Sequence, residues 1–264
     1  MIFNRDYWKK EWNALEKRES RFLVKQYQEK TSSFQEKLSE KVPDKLEGTL
    51  KTTFVKAFGL VFEKGTGIIE KTYNKEKHDH NYKLNEFAAN LKENRKNVKA
   101  FSKNANASRT KNLLLSTVEG VGFGVFGVGI PDIPVFTGVI LKSIYEIAMS
   151  YGFSYESEEE QIFILKLIRT ALLKGEEFEK SNNQINSEID MKLIAVISDD
   201  EKQKQIVQTA EILSEALLYM KFLQGIPVVG VAGGFADTVY LKKITDYADL
   251  KYKRRFLKDK GKCV

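Results

Sequence analysis

Four carboxylates invite a chemical reading. Asp132, Glu146, Asp237 and Asp246 take matching places in two similar stretches of this 264-residue chain. Acids projecting from facing helices can hold a metal centre, so one reading is a metal-dependent helical enzyme that uses these four. The helical di-iron design also supplies Glu-x-x-His pairs, and neither stretch contains a histidine. Glu146 and Asp246 each follow a lysine, Lys142 and Lys242, by four residues, the spacing of an ordinary helix ion pair. The two histidines, His78 and His80, flank Asp79 within NKEKHDHNY, residues 74–82. Imidazole and carboxylate are both metal ligands, but this segment reads as a solvated polar loop with no third donor. No metal or other cofactor is therefore expected. No Ser-His-Asp, Cys-His or phosphate-loop set can be assembled either, because the glycine run precedes a proline and lacks a Lys-Ser/Thr ending. The reading that remains is a non-enzymatic protein.

The elements that must position the four acids are the two most apolar stretches. Gly120 to Leu141, GVGFGVFGVGIPDIPVFTGVIL, is 22 residues long and has Asp132 as its one charge. Phe222 to Leu241, FLQGIPVVGVAGGFADTVYL, is 20 residues long and has Asp237 as its one charge. Both contain Gly-Ile-Pro, and both run into an echo, LKSIYEIA from Leu141 and LKKITDYA from Leu241. Gly120/Gly124 and Gly230/Gly234 have the four-residue spacing that lets helix backbones approach. About 20 apolar residues span a bilayer, but proline and a central charge oppose a straight span. A bent unit reconciles these features. A glycine-rich helix meets the turn at Pro131, and Asp132 caps a second helix with Pro134 in its first turn. Such units fit a buried core hairpin, a re-entrant insertion or a true span, and the residues leave all three open.

The remaining pattern is helical. Apolar positions recur at three and four residues from Arg5 to about Glu40, and Pro43 opens a second stripe from Leu46 to Phe62. A third helix passes through Leu84, Phe87, Leu91, Val98 and Phe101, and KNANASRT, residues 103–110, reads as a linker. A helix from about Val135 to Tyr151 ends at Gly152. Ser157 with Glu160 forms a capping box for the next, and Ser198 with Glu201 opens a long helix to about Leu223. Between them, residues 176–186 read as a polar turn and 188–197 as a short helix. No alternating strand pattern appears, so the fold class is all-α: a multi-helix domain with two glycine-rich bent units related by a weak internal repeat. The divisions expected are N-terminal amphipathic helices over 1–110, a helical domain over 111–257, and a basic end over 258–264.

Charge bounds the partners. The net charge is +7, and residues 251–264 alone carry seven basic side chains against Asp259. A near-neutral body with a local basic tail argues against nucleic acid and for an anionic membrane surface. Contact with membrane or partner is accordingly expected at Gly124, Pro131, Asp132, Gly234, Asp237, Arg254, Arg255 and Phe256. Lone Cys263 suits a reducing compartment, and the charged opening MIFNRDYWKKEW reads as no signal peptide. The expected place is the cytoplasmic face of a membrane.

The runs GIPDIPVFTGVILKSIYEIAMSYGF, SEEEQIFILKLI and GIPVVGVAGGFADTVYLKKITDYADLKYKRRFL together resemble the EcsC family, with Tyr252 and Arg254-Arg255 matching its ending. The likeness covers roughly Leu113 to Leu257, and the second turn, GIPVVGV, departs from the first in lacking Asp-Ile-Pro. The resemblance implies a bacterial, mainly helical protein, in some genomes encoded beside an ABC exporter. Transporter subunits are therefore expected partners, in an accessory role to a transport or envelope system. The family has no established activity, and the resemblance carries over no catalytic residue.

Overall fold

The computed structural model describes residues 7–28, 44–63, 67–118, 132–192, 199–224 and 233–261, and no strand occurs among them. In chain order the helices are α1 (Tyr7–Gln28), α2 (Asp44–Glu63), the single turn α3 (Gly67–Glu70), α4 (Lys75–Leu91) and α5 (Arg95–Val118). They continue with α6 (Asp132–Ser150), α7 (Glu158–Leu172), α8 (Gly175–Met191), α9 (Asp199–Gln224) and α10 (Gly233–Asp259). The turns expected of the two bent units, with Gly124 and Pro131, lie outside the described residues. The helices that follow these segments are α6 and α10.

These two helices form the centre. Ile133, Phe136, Ile140, Leu141, Ile144, Tyr145, Ile147 and Ala148 of α6 are all buried, so the helix is apolar nearly all round and must be enclosed. It is: α2, α4, α5 and α10 cover it. Ile133–Ser150 is the one window among the described residues long and apolar enough to cross a membrane, with mean hydropathy 1.3, and 83% of it is buried inside the fold. Helix α10 packs against α1, α5, α6, α7, α8 and α9. Its Leu241, Ile244, Tyr247, Ala248, Leu250, Tyr252, Phe256 and Leu257 are buried. The outer helices α2 and α9 pack on each other, and α9 also lies on α7.

Local chemistry sets the boundaries. Helix α6 ends because Gly152 takes φ +84°, which lets Phe153 N–H reach the Ala148 carbonyl and Gly152 N–H reach that of Met149, each at 3.0 Å. Helix α7 starts at Ser157, whose hydroxyl accepts from Glu160 N–H at 3.3 Å. Glu158, Glu159 and Glu160 place negative charge in its first turn. The capping box is only half closed, since the Glu160 carboxylate turns inward to other partners.

Three segments that read as connections are helix. In NKEKHDHNY, Asn74 Oδ1 accepts from Lys77 N–H at 2.8 Å and starts α4, so both histidines lie on a helix. KNANASRT lies within α5, because Ala105 is buried and Arg109 reaches an ion pair on α10. Residues 176–186 lie within α8, whose buried face is Phe178, Asn182, Ile185 and Ile189. Asn182 occupies the second position of that stripe, where it accepts from the buried Tyr247 hydroxyl at 3.0 Å. Tertiary partners override weak local propensity in each case.

Gly152 gives a direct test. A Cβ there would stand 2.4 Å from the Tyr82 ring, on a backbone that L-residues disfavour. Gly152→Ala is expected to lower stability by about 2 kcal/mol or more. Gly48→Ala, mid-helix in α2 with nothing within 4 Å of the new Cβ, is expected to raise it by roughly 0.5–1 kcal/mol. Urea melts of both variants check the pair; an unchanged midpoint for Gly152→Ala would contradict the close approach.

Candidate functional site

The four sequence-singled acids do not meet as a set. Asp132 is the first residue of α6, and Asp237 lies just past the first turn of α10, of which Gly234 is the second residue; nothing is described of the two acids' side chains. Asp246 is paired with Lys242 four residues earlier, as its spacing suggests, and with Arg109 of α5 at 2.8 Å. Glu146 does something else. Its Oε2 accepts from the Asn112 amide, and its Oε1 lies 3.6 Å from His78 Nε2. The histidine that reads as loop and the carboxylate that reads as a helix ion pair are thus neighbours, brought together by α4, α5 and α6. Lys142 is half-buried nearby; burial, with Lys111 adding repulsion, holds its ammonium below the ordinary value against the pull of Glu146.

A tyrosine cluster adjoins this pair. Tyr73 donates to the Tyr155 hydroxyl at 2.6 Å, and Tyr155 donates to Glu70 at 2.6 Å. The Tyr145 ring stacks on Tyr155 with centroids 4.0 Å apart. Burial and the neighbouring carboxylates push the Tyr73 and Tyr155 phenols well above their ordinary value, so both are donors at neutral pH. A carboxylate with amide and imidazole neighbours, beside protonated phenols, links polar side chains around α3, α4, α5 and α6. Among the described residues no three His, Cys, Asp or Glu side chains converge as metal ligands.

The basic C-terminal end is also placed differently from its reading as a tail. Lys251, Lys253, Arg254, Arg255 and Phe256 lie in the closing turns of α10, where Lys251, Lys253 and Phe256 are buried and the two arginines half-buried. Arg255 Nη1 donates to both oxygens of Glu160, at 2.7 and 2.9 Å, while its guanidinium lies 4.1 Å from the Phe153 ring. Tyr252 donates to the same carboxylate at 2.6 Å. Arg254 pairs with Glu19 of α1 and Asp190 of α8, each at 3.1 Å. Lys253 reaches Glu11 at 2.6 Å, and Lys251 reaches Glu19 and, at 2.7 Å, Asn186. Phe256 is buried against Trp8, Phe101 and Tyr151. These charges had to be matched because a lone buried charge is costly. The matching acids lie up to 242 residues away, beyond any local pattern.

What is exposed lies elsewhere. Helix α4 turns His78, Tyr82, Glu86 and Ala89 toward the body and presents Leu84, Phe87 and Leu91, 52%, 63% and 70% exposed, to the outside. Offsets of three and seven residues put them on one face. The sequence places these three on a helical stripe but does not show which stripe is left uncovered. A smaller exposed pair, Val24 and Tyr27, ends α1.

Comparison with known proteins follows the same extent of chain. A family model described as the EcsC protein family matches residues 9–257. The match begins within α1, the helix that supplies Glu11 and Glu19 to α10. The protein named Protein EcsC of Bacillus subtilis (strain 168) is 26% identical over 231 residues, 85% of this chain and 85% of its own length. Uncharacterized protein YdbA of the same organism is 27% identical over 150 residues, 53% of this chain and 52% of its own. No solved structure matches.

Lys251 offers a titration test of the buried charges. Burial lowers its ammonium from 10.5 to about 8, with Glu19 offsetting only part of the loss. Between about 8 and 10.5 the unfolded chain holds a proton that the folded chain has released, so stability from this group rises with pH across that window. The stability of the natural chain minus that of Lys251→Met is therefore expected to grow from pH 8 to pH 10.5, by up to about 3 kcal/mol. Urea denaturation across that range checks it, and a flat difference would contradict it.

Proposed function

The chain belongs to the EcsC protein family, and on that footing we propose that it is a peripheral membrane protein that binds rather than catalyses, with its membrane contact on α4. The supporting observation is the exposed line of Leu84, Phe87 and Leu91. Scattered apolar side chains are normal on a surface, but three large ones in register on one helix face mark an interaction site. Bringing their exposed area out of water is worth roughly 4 kcal/mol in all, which corresponds to about millimolar affinity. That suits reversible, peripheral contact rather than a permanent anchor. The setting we propose is the cytoplasmic face of a bacterial membrane, beside a transport or envelope system and with ABC-transporter subunits as partners; the family resemblance is what supports this setting.

Vesicle flotation of the full chain tests the reading. Leu84→Ser/Phe87→Ser/Leu91→Ser is expected to lose flotation while keeping its unfolding free energy within about 0.5 kcal/mol, since exposed positions carry little stability. Equal flotation of the variant and the natural chain, or no flotation of either, would overturn the reading.

A further inference from the structure

The apolar line on α4 runs into a turn with a different chemistry. Leu91 is followed at once by Lys92, and Lys92, Arg95, Lys96 and Lys99 fall within eight residues that hold one acid, Glu93. All four cations are exposed. Lys99 comes only within 4.0 Å of Glu11, and among the described residues Lys92, Arg95 and Lys96 are held in no ion pair. This is the reverse of α10, where the cations at 251, 253, 254 and 255 each face a carboxylate.

The turn is also built to hold its shape. Lys92 leaves α4 in an extended conformation with its N–H on the Ala88 carbonyl. Asn94 Oδ1 accepts from Asn97 N–H at 3.0 Å, and the Asn97 amide donates to the carbonyls of Ala88 and Lys92, both at 2.9 Å. One side chain therefore ties the end of α4 to the start of α5. On the inner side, Tyr82 rests on Gly152, Glu86 pairs with Lys260, and His78 lies beside Glu146. The hairpin fixes the last turn of α4, with Leu91 and Lys92, against the first turn of α5, with Arg95 and Lys96, without waiting for a partner to order it.

We propose that this hairpin tip recognises anionic lipid headgroups, with Phe87 and Leu91 entering the acyl boundary while Lys92, Arg95 and Lys96 lie at the level of the phosphates. The inference rests on the membrane reading of α4 and adds the lipid class. Charge complementarity selects this occupant: an apolar line edged by unneutralised cations matches a surface that is apolar below and negative above. The apolar contact alone is weak, and a second, electrostatic signal is what makes peripheral attachment stable. Long basic side chains can lay their methylene stems along the apolar boundary while the charge stays in water.

The test uses the full chain, phosphatidylcholine vesicles and phosphatidylcholine vesicles containing phosphatidylglycerol, with sedimentation at low and high salt. Lys92→Gln/Arg95→Gln/Lys96→Gln removes the tip charge. Lys17→Gln/Arg21→Gln/Lys25→Gln removes the same charge from exposed positions of α1, beside the other apolar pair. The natural chain is expected to prefer the phosphatidylglycerol vesicles and to be released by salt. Neutralising the tip should weaken binding about five-fold per charge, roughly a hundred-fold for three, and the α1 variant should bind within about two-fold of the natural chain. If the tip variant binds as the natural chain does, or the α1 variant loses as much, the inference is overturned while the membrane reading stands. Equal binding to both vesicle types has the same meaning. No sedimentation with either vesicle removes the membrane reading and this inference with it. A dimer in sedimentation velocity that the α4 serine variant abolishes would assign the face to a second copy and overturn both.

Discussion

Charge buried along the C-terminal helix organises this protein. Taking an ammonium or guanidinium out of water costs several kcal/mol, and that cost is offset only where a carboxylate with good geometry waits for it. Helix α10 makes this demand in full at Lys251 and Lys253, which are buried, and in part at the half-buried Arg254 and Arg255. The answers come from three helices: Glu11 and Glu19 on α1, Glu160 on α7, and Asp190 with Asn186 on α8. Each pair fixes the rotation and height of one helix against α10. A register error of one turn would leave opposite charges buried apart, at about 3–5 kcal/mol for each broken pair. Burial pushes Lys251 down to about 8 even with Glu19 beside it, so the pairs are better understood as specifying the packing than as adding to stability.

That arrangement decides what the outside can do. The basic residues at 251–260 that look free in the sequence are paired within the fold, and α6, the most apolar described helix, is enclosed by its neighbours. Attraction to a negative surface must then come from cations that no carboxylate claims, and apolar contact from side chains that no helix covers. Both occur together at the α4–α5 hairpin. Its inner edge is held by Tyr82 against Gly152 and by Glu86 with Lys260, the latter an ion pair to the basic segment just past α10. The same C-terminal charges that are unavailable for binding thus help to position the surface that is available.

Much of the fold is legible in the residues and much of the candidate site is not. The all-helical class, the stop at Gly152, the cap at Ser157 and the Lys242–Asp246 pair follow from signals within a few residues of one another. Glu160 shows where such signals stop: it has capping-box spacing, yet Arg255 and Tyr252 offer its carboxylate stronger partners. Residues 103–110 and 176–186 are polar enough to read as connections, but the half-buried Arg109 and the buried Asn182 make polar contacts from long helices. His78 and Glu146 are 68 residues apart in number and 3.6 Å apart in space. No periodicity reports such a pairing, just as none reports that Leu84, Phe87 and Leu91 are left uncovered while Val98 and Phe101 are buried. Local propensity writes the helices; which face each one hides is settled by partners distant in sequence.

Amide hydrogen exchange of the full chain, with and without anionic vesicles, tests both halves of this account in one measurement. The account predicts that residues 244–257 exchange slowly in either condition, because buried ion pairs hold α10, and that vesicles add protection over residues 84–99 of the α4–α5 hairpin. Fast exchange at 251–257 in the free protein, with vesicle protection appearing there and not at 84–99, would show that the basic segment is the external contact and that the buried charge network does not organise the fold.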